Sequence, residues 1–116
     1  MQKMYLRSGK KNMNYKIKIT DEFLENVEEI CYYISNHLKA PKSEKRLRRK
    51  IIYNILQLKE NPKMFMKIKE VLNIKTEYRR IVINNYIILY TIDEKNKFVY
   101  VSHMYYKGKN YIKDLL

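Results

Sequence analysis

The chain has one cysteine, two glycines, two prolines and no tryptophan in its 116 residues. A single cysteine, Cys31, excludes an internal disulfide framework. No apolar segment of secretory type follows the first charges, and the two observations together point to a reducing, cytoplasmic compartment. Two glycines leave no phosphate-cradling loop. One cysteine and two well-separated histidines, His37 and His103, cannot make a zinc site of familiar spacing. No apolar run approaches the ~18 residues that a membrane span needs. Internal repeats and low-complexity stretches are also missing. The sequence therefore calls for no cofactor, no metal and no membrane.

Acidic residues are the other scarcity: twelve carboxylates face twenty-five Lys and Arg, for a net charge of +13. The imbalance is uneven. Residues 1–20 carry six cations and no carboxylate, residues 21–40 sum to −4, residues 41–80 to +9 and the remainder to +2. One acidic helix face thus sits in a basic molecule. Such a field attracts phosphate backbones and acidic protein segments, although a solvated face that merely keeps a protein soluble is the commoner reason for a charge run.

What is abundant is apolar residues, 46% of the chain and spread along it, enough for one domain with its own core. Residues 1–12 lack periodicity and read as a flexible basic arm ahead of a folded unit at 13–116. Tyr15, Ile17 and Ile19 alternate with polar residues, which predicts a half-buried strand over Asn14–Thr20. Thr20 or Asp21 can cap the helix that follows, whose stripe is Phe23, Leu24, Val27, Ile30, Cys31, Ile34 and Leu38. Cys31 on that stripe reads as a small core residue. Ala40-Pro41 breaks this helix, and Pro41 suits the first turn of a second. Leu47, Ile51, Ile55 and Leu58 form the second stripe, widened by Ile52 and Leu56, and Asn61-Pro62 ends it. Three β-rich runs, Thr76–Ile83, Tyr86–Ile92 and Phe98–Tyr105, are separated by Asn84-Asn85 and by residues 93–97, with a polar tail over Lys107–Leu116. Tyr86–Tyr90 is apolar on both faces and should be a central strand. The predicted fold is α+β, in the order β-α-α-β-β-β, a helical hairpin packed on a mostly antiparallel four-stranded sheet.

The stretch Tyr78-Arg79-Arg80-Ile81-Val82-Ile83-Asn84-Asn85-Tyr86, continued by Ile87-Ile88-Leu89-Tyr90-Thr91-Ile92-Asp93, resembles a pattern of the RelE/ParE superfamily. These are the toxic halves of bacterial type II toxin–antitoxin pairs, a group that includes plasmid stabilisation proteins. Tyr106-Lys107-Gly108-Lys109-Asn110-Tyr111 with Leu115-Leu116 resembles that family's closing motif. The acidic first helix with Tyr32-Tyr33-Ile34 and the basic second helix fit as well, so the resemblance covers about 13–116. Tyr106 stands where the family has a histidine, Lys109-Asn110 where it has Arg-Asp, His103 where it commonly has Arg, and Ile87 where the ribonuclease branch often has Arg. The resemblance implies a cytoplasmic toxin bound in a hetero-oligomer by a cognate acidic antitoxin. Its target would be either ribosome-bound mRNA or DNA gyrase.

In the first case the enzyme is a metal-independent endoribonuclease and RNA-binding mRNA interferase. The substrate's 2′-hydroxyl attacks the adjacent phosphate, which requires a proton acceptor, cations and a donor for the leaving oxygen. Arg80, Lys109, Tyr111, His103 and Tyr106 are the catalytic candidates. Arg79, Lys107, Arg48 and Arg49 are candidates for binding nucleic acid or another target. Alternation along a strand sends Arg79 and Arg80 to opposite faces, so at most one joins such a site. Tyr105, Tyr106 or Tyr111 could stack on bases or move a proton, and His103 is the one nearby base that titrates near neutrality. Each tyrosine taken alone is more simply an amphipathic sheet residue. In the second case no acid or base is needed, only an exposed surface such as the helix bearing Arg48 and Arg49. A third possibility is a basic nucleic-acid-binding domain, or a toxin that has lost its activity.

Overall fold

The computed structural model describes residues 14–68 and 76–115; the basic stretch 1–12 read as an arm lies outside the described residues. Its elements are β1 (Lys16–Ile19), α1 (Asp21–Tyr32), a π-helical turn (Tyr33–His37), α2 (Pro41–Gln57) and a 3₁₀ turn (Pro62–Met64). Then come β2 (Arg79–Ile83), β3 (Tyr86–Asp93), β4 (Phe98–Tyr106) and a short α3 (Ile112–Leu115). The sheet runs β1-β4-β3-β2, with β1 parallel to β4 and the other pairs antiparallel. This is the α+β fold expected, with β3 interior as its two-sided apolarity requires.

Local chemistry explains the element boundaries. Thr20 caps α1, its hydroxyl accepting from the Phe23 N–H at 3.1 Å, while Asp21 and Glu22 sit at the positive end of the helix dipole. Pro41 opens α2, where its missing N–H costs nothing. Asn84 takes the left-handed conformation (φ 53°) that lets β2 turn into β3 in two residues. At the next turn Asp93 accepts from the backbone and side-chain N–H groups of Asn96.

The main core lies between the helices and one face of the sheet. Phe23, Val27 and Cys31 of α1 and Ile34 of the π-helical turn meet Leu47, Ile51, Ile55 and Leu58 over Ile81, Ile83, Ile88, Tyr90, Val99, Val101 and Met104. Tyr90 is fully buried and donates its hydroxyl to the Pro62 carbonyl at 2.6 Å. Arg48 ties the helices together, forking onto Glu28 (3.1 and 3.2 Å) and pairing with Glu44. Each carboxylate so engaged holds the guanidinium charged, and Arg48 in turn lowers the Glu28 pKa.

Several expected core positions lie on the surface. Leu38 is exposed because the π-helical turn, marked by Leu38 N–H donating to Tyr33 O at 3.1 Å, rotates it off the stripe. Leu24 falls at the stripe's edge and is exposed. Ile52 and Leu56 are exposed because, at about 100° per residue, they lie round the side of α2 away from Leu47 and Ile51. Ile19 is exposed on an edge strand paired on one side only. β2 begins at Arg79 rather than Thr76, and residues 66–68 run along its outer edge, with Ile68 N–H on Tyr78 O and Arg80 N–H on Met66 O. The tail is not purely polar: Tyr111 is buried and Ile112 and Leu115 pack beneath the sheet.

Candidate functional site

The sheet face away from the helices carries a second apolar cluster: Ile87, Leu89, Tyr105 and Tyr111, flanked by Ile68, Tyr78, Ile112 and Leu115. Strand register decides which polar groups join it. Arg80 pairs with Leu89 across β2–β3, and Leu89 with His103 across β3–β4, so Arg80 and His103 share this open face.

A β-bulge is what turns His103 outward. Leu89 faces His103 and Tyr90 faces Val101, leaving Ser102 as the extra residue of β4. Strict alternation would place Val99, Val101, His103 and Tyr105 on one face. The bulge instead puts Val99, Val101 and Met104 in the main core and gives His103 and Tyr105 to the open face. Groups of the bulge are anchored by α1 and its cap. The Thr20 hydroxyl donates to Ser102 O (2.9 Å), and the Asn26 side-chain oxygen accepts from the Met104 N–H (2.9 Å).

Aromatic rings then build a ladder across the open face. His103 stacks on Tyr105 (centroids 5.5 Å, planes 21° apart), and Tyr105 stacks on Tyr111 (5.6 Å, 12°). Tyr78 meets His103 edge-on at 6.1 Å. Lys109 lies over the Tyr105 ring, its Nζ 4.8 Å from the centroid, a cation–π geometry. A carboxylate stands beside each of these groups: Lys109 Nζ is 3.2 Å from Asp114 Oδ2, and His103 Nε2 is 3.3 Å from Glu22 Oε2 while its Nδ1 is 2.8 Å from Ser102 Oγ. Burial pushes the Tyr105 phenol up to about 12, with Asp114 and then Glu22 adding to it. The Tyr105 hydroxyl is fully enclosed, and Asp114 lies close enough to hold it in its protonated form, though not at the distance of a well-formed hydrogen bond. Tyr78 is raised by burial and by Glu22.

Arg80, His103, Lys109 and Tyr111 are thus gathered on one face. Tyr106 is not. The next residue after Tyr105 on a pleated strand, it points to the helix side, half exposed and edge-on to Tyr86 at 6.0 Å. There it lines a shallow groove of ≈ 640 Å³ with Ile30, Tyr33, Leu38 and Tyr86. Arg79 also leaves the site, donating to Phe65 O (2.7 Å) and Lys63 O (3.3 Å). Lys107 is exposed at the strand end, its N–H on Asn85 O. On α2, Arg48 is committed to Glu28 and Glu44, whereas Arg49 is exposed. Glu22, Tyr78 and Asp114 had no place in the sequence reading of the site. Asp114 left one legible signal, as the sole Asp or Glu after Glu94. Among the described residues no cluster of His, Cys, Asp and Glu could hold a metal, and no helix is long and apolar enough to cross a membrane.

A family model for the ParE toxin of type II toxin–antitoxin systems matches residues 17–110. Solved structures share the fold at low identity. The archaeal RelE–RelB complex of Pyrococcus horikoshii OT3 matches at 17% identity and a TM-score of 0.54, over 84% of this chain and 99% of that one. A chromosomal ParDE system of P. aeruginosa matches at 11% and 0.64, over 81% and 97%. The RelBE2 complex of Mycobacterium tuberculosis matches at 15% and 0.56, over 80% and 98%. No curated protein matches in sequence.

Proposed function

The chain belongs to the ParE toxin family of type II toxin–antitoxin systems, and from that premise we propose that it inhibits growth by cutting ribosome-bound mRNA with its open sheet face. The observation that carries this reading is the convergence of Arg80, His103, Lys109 and Tyr111, drawn from β2, β4 and the tail, onto one face. Cleavage of this type forms a bond from the 2′-oxygen to phosphorus and breaks the bond from phosphorus to the 5′-oxygen. His103, oriented by Ser102 at Nδ1, accepts the 2′-hydroxyl proton at Nε2 when the substrate takes the place of Glu22 there. Lys109 and Arg80 face the developing charge, and a phenol returns a proton to the leaving oxygen. Lysine lacks the planar fork of arginine, so turnover should be slow. Its silencing partner is an acidic antitoxin, which the +13 charge attracts; the structural neighbours include complexes of RelE with RelB and a ParDE system.

A second reading, inhibition of DNA gyrase by binding, is favoured by the ParE description of the family and by the larger fold overlap with the ParDE system. Its contacts would come from the exposed side of α2, at Arg49. The deciding experiment maps mRNA 5′ ends after induction and assays gyrase supercoiling in parallel. Translation-dependent cuts that vanish in Arg80→Ala, Lys109→Ala and Tyr111→Phe support cleavage. Intact mRNA with trapped gyrase–DNA complexes rejects it.

A further inference from the structure

We propose that Ser102 and Glu22 together decide which nitrogen of His103 carries the proton, Glu22 holding it on Nε2 and Ser102 drawing it to Nδ1 once Glu22 is moved aside. The inference rests on the cleavage reading, in which Nε2 is the base, and supplies the regulation of that site. On a regular strand neighbouring side chains point to opposite faces, and a serine hydroxyl does not meet the ring of the next residue. The bulge brings the two together, with Ser102 Oγ 2.8 Å from His103 Nδ1. The same hydroxyl lies 3.3 Å from a second acceptor, Leu89 O. The backbone around it is fixed by the Thr20 hydroxyl on Ser102 O and by the Asn26 oxygen on the Met104 N–H. The hydroxyl hydrogen is left to turn between its two acceptors.

A serine hydroxyl has one hydrogen to give and lone pairs to accept with, and each nitrogen of a neutral imidazole either donates or accepts. Two arrangements of the neutral ring follow. In the first, Nε2–H donates to Glu22 Oε2, 3.3 Å away, and the Ser102 hydroxyl donates to Nδ1. In the second, the hydroxyl turns to Leu89 O and accepts from Nδ1–H, which leaves the Nε2 lone pair bare. A carboxylate beside Nε2 repels that lone pair, so the first arrangement holds while Glu22 is in place, and Nε2 is then no base. Glu22 is 58% exposed and His103 13%, so the carboxylate is the partner that moves. Tyr105, stacked on the ring, and Tyr78, edge-on to it, hold its plane and not its proton. A 2′-hydroxyl that meets the second arrangement gives its proton to Nε2, and the ring becomes a cation whose Nδ1–H stays on Ser102 Oγ.

The test reads the ring nitrogens directly, by nitrogen NMR of the isotopically labelled full chain at about pH 9, where an ordinary imidazole is neutral. The chain has two histidines, so His37→Gln assigns the signals. The wild type should carry the proton on Nε2 and Glu22→Ala should carry it on Nδ1. Adding Ser102→Ala to Glu22→Ala should remove the preference for Nδ1, whereas adding Ser102→Thr, which keeps the hydroxyl, should retain it. A wild-type proton on Nδ1, a tautomer that Glu22→Ala leaves unchanged, or a double variant with Ser102→Ala that still protonates Nδ1 overturns the switch. Glu22 is exposed, so its single variant decides the matter even where a change at the bulge unfolds the sheet. In the mRNA 5′-end assay Glu22→Ala should raise cutting about tenfold and Ser102→Ala lower it by about as much, the low end of what outer partners of a functional histidine contribute. The expected tautomers with intact mRNA in every variant keep the switch and discard the nuclease. Cuts with a tautomer that Glu22→Ala does not move discard the switch alone.

Discussion

Tyr90 and Arg79 are neighbours in the β2–β3 ladder that the chain uses in opposite ways from those their chemistry first suggests. Tyr90 is a fully buried phenol whose hydroxyl closes the 3₁₀ turn by donating to Pro62 O. Arg79, a candidate for target binding, holds the same turn from the other side through Phe65 O and Lys63 O. Tyr90→Phe leaves that carbonyl without its donor and should cost about 1 kcal/mol, read in a urea unfolding series as a lower midpoint at unchanged slope. Arg79→Ala should likewise destabilise the protein. If instead it spares stability and abolishes toxicity, its place is at the target and not in the turn. Strand alternation already sent Arg79 and Arg80 to opposite faces; the turn at 62–64, which engages Arg79, is what only the structure added.

At the scale of elements, the decisive feature is the bulge at Ser102 and the groups of α1 that hold it. Inserting one residue into β4 frees the Met104 N–H from the ladder, and Asn26 meets it from the helix. Asn26→Ala leaves that donor unpaired against a buried methionine and should cost roughly 1–3 kcal/mol. It should also loosen the His103–Tyr105 stack, visible as broadened ring resonances of both. The helix pair depends on a different kind of contact. Arg48 bridges Glu28 and Glu44 with its side chain 39% exposed, so solvent and salt screen the pair. Arg48→Met should therefore lower stability by under about 1 kcal/mol, with the difference shrinking at high salt. Growth inhibition that survives this change removes Arg48 from the target surface.

For the whole molecule, two buried phenols set the alkaline limit. Tyr90 and Tyr105 are each pushed up to about 12 from an ordinary 10.0 by burial. An acid whose folded-state pKa is raised favours the folded form while it stays protonated. That contribution is complete below pH 10 and drains away as the pH climbs toward 12, because the unfolded chain loses its protons first. Stability should fall from pH 10 upward, and Tyr90→Phe with Tyr105→Phe should flatten the fall in thermal melts. A flat profile in the parent protein would show that neither phenol is effectively buried. The same molecule has an acidic face on α1 and a basic remainder, so the affinity of an acidic partner should drop steeply with added salt. Salt-independent association would place the partner instead in an apolar site, such as the groove at Tyr33, Leu38, Tyr86 and Tyr106.

Periodicity determined the order of elements and the interior place of β3, and residue type the break at Pro41, the hairpin at Asn84-Asn85 and a cap at Thr20 or Asp21. Each of these follows from interactions among near neighbours in the chain or from a simple repeat of 2 or 3.6. Only tertiary structure decided what lies on the open face. The bulge at Ser102 reversed the alternation of β4, the π-helical turn took Leu38 out of the core, and the tail folded back to stack Tyr111 on Tyr105. None of the three follows from a repeat of 2 or 3.6: the bulge is held by partners far away in sequence, and the π-helical turn and the returning tail break the local period. Ser102 and Met104 need Thr20, the cap of α1, and Asn26 within it.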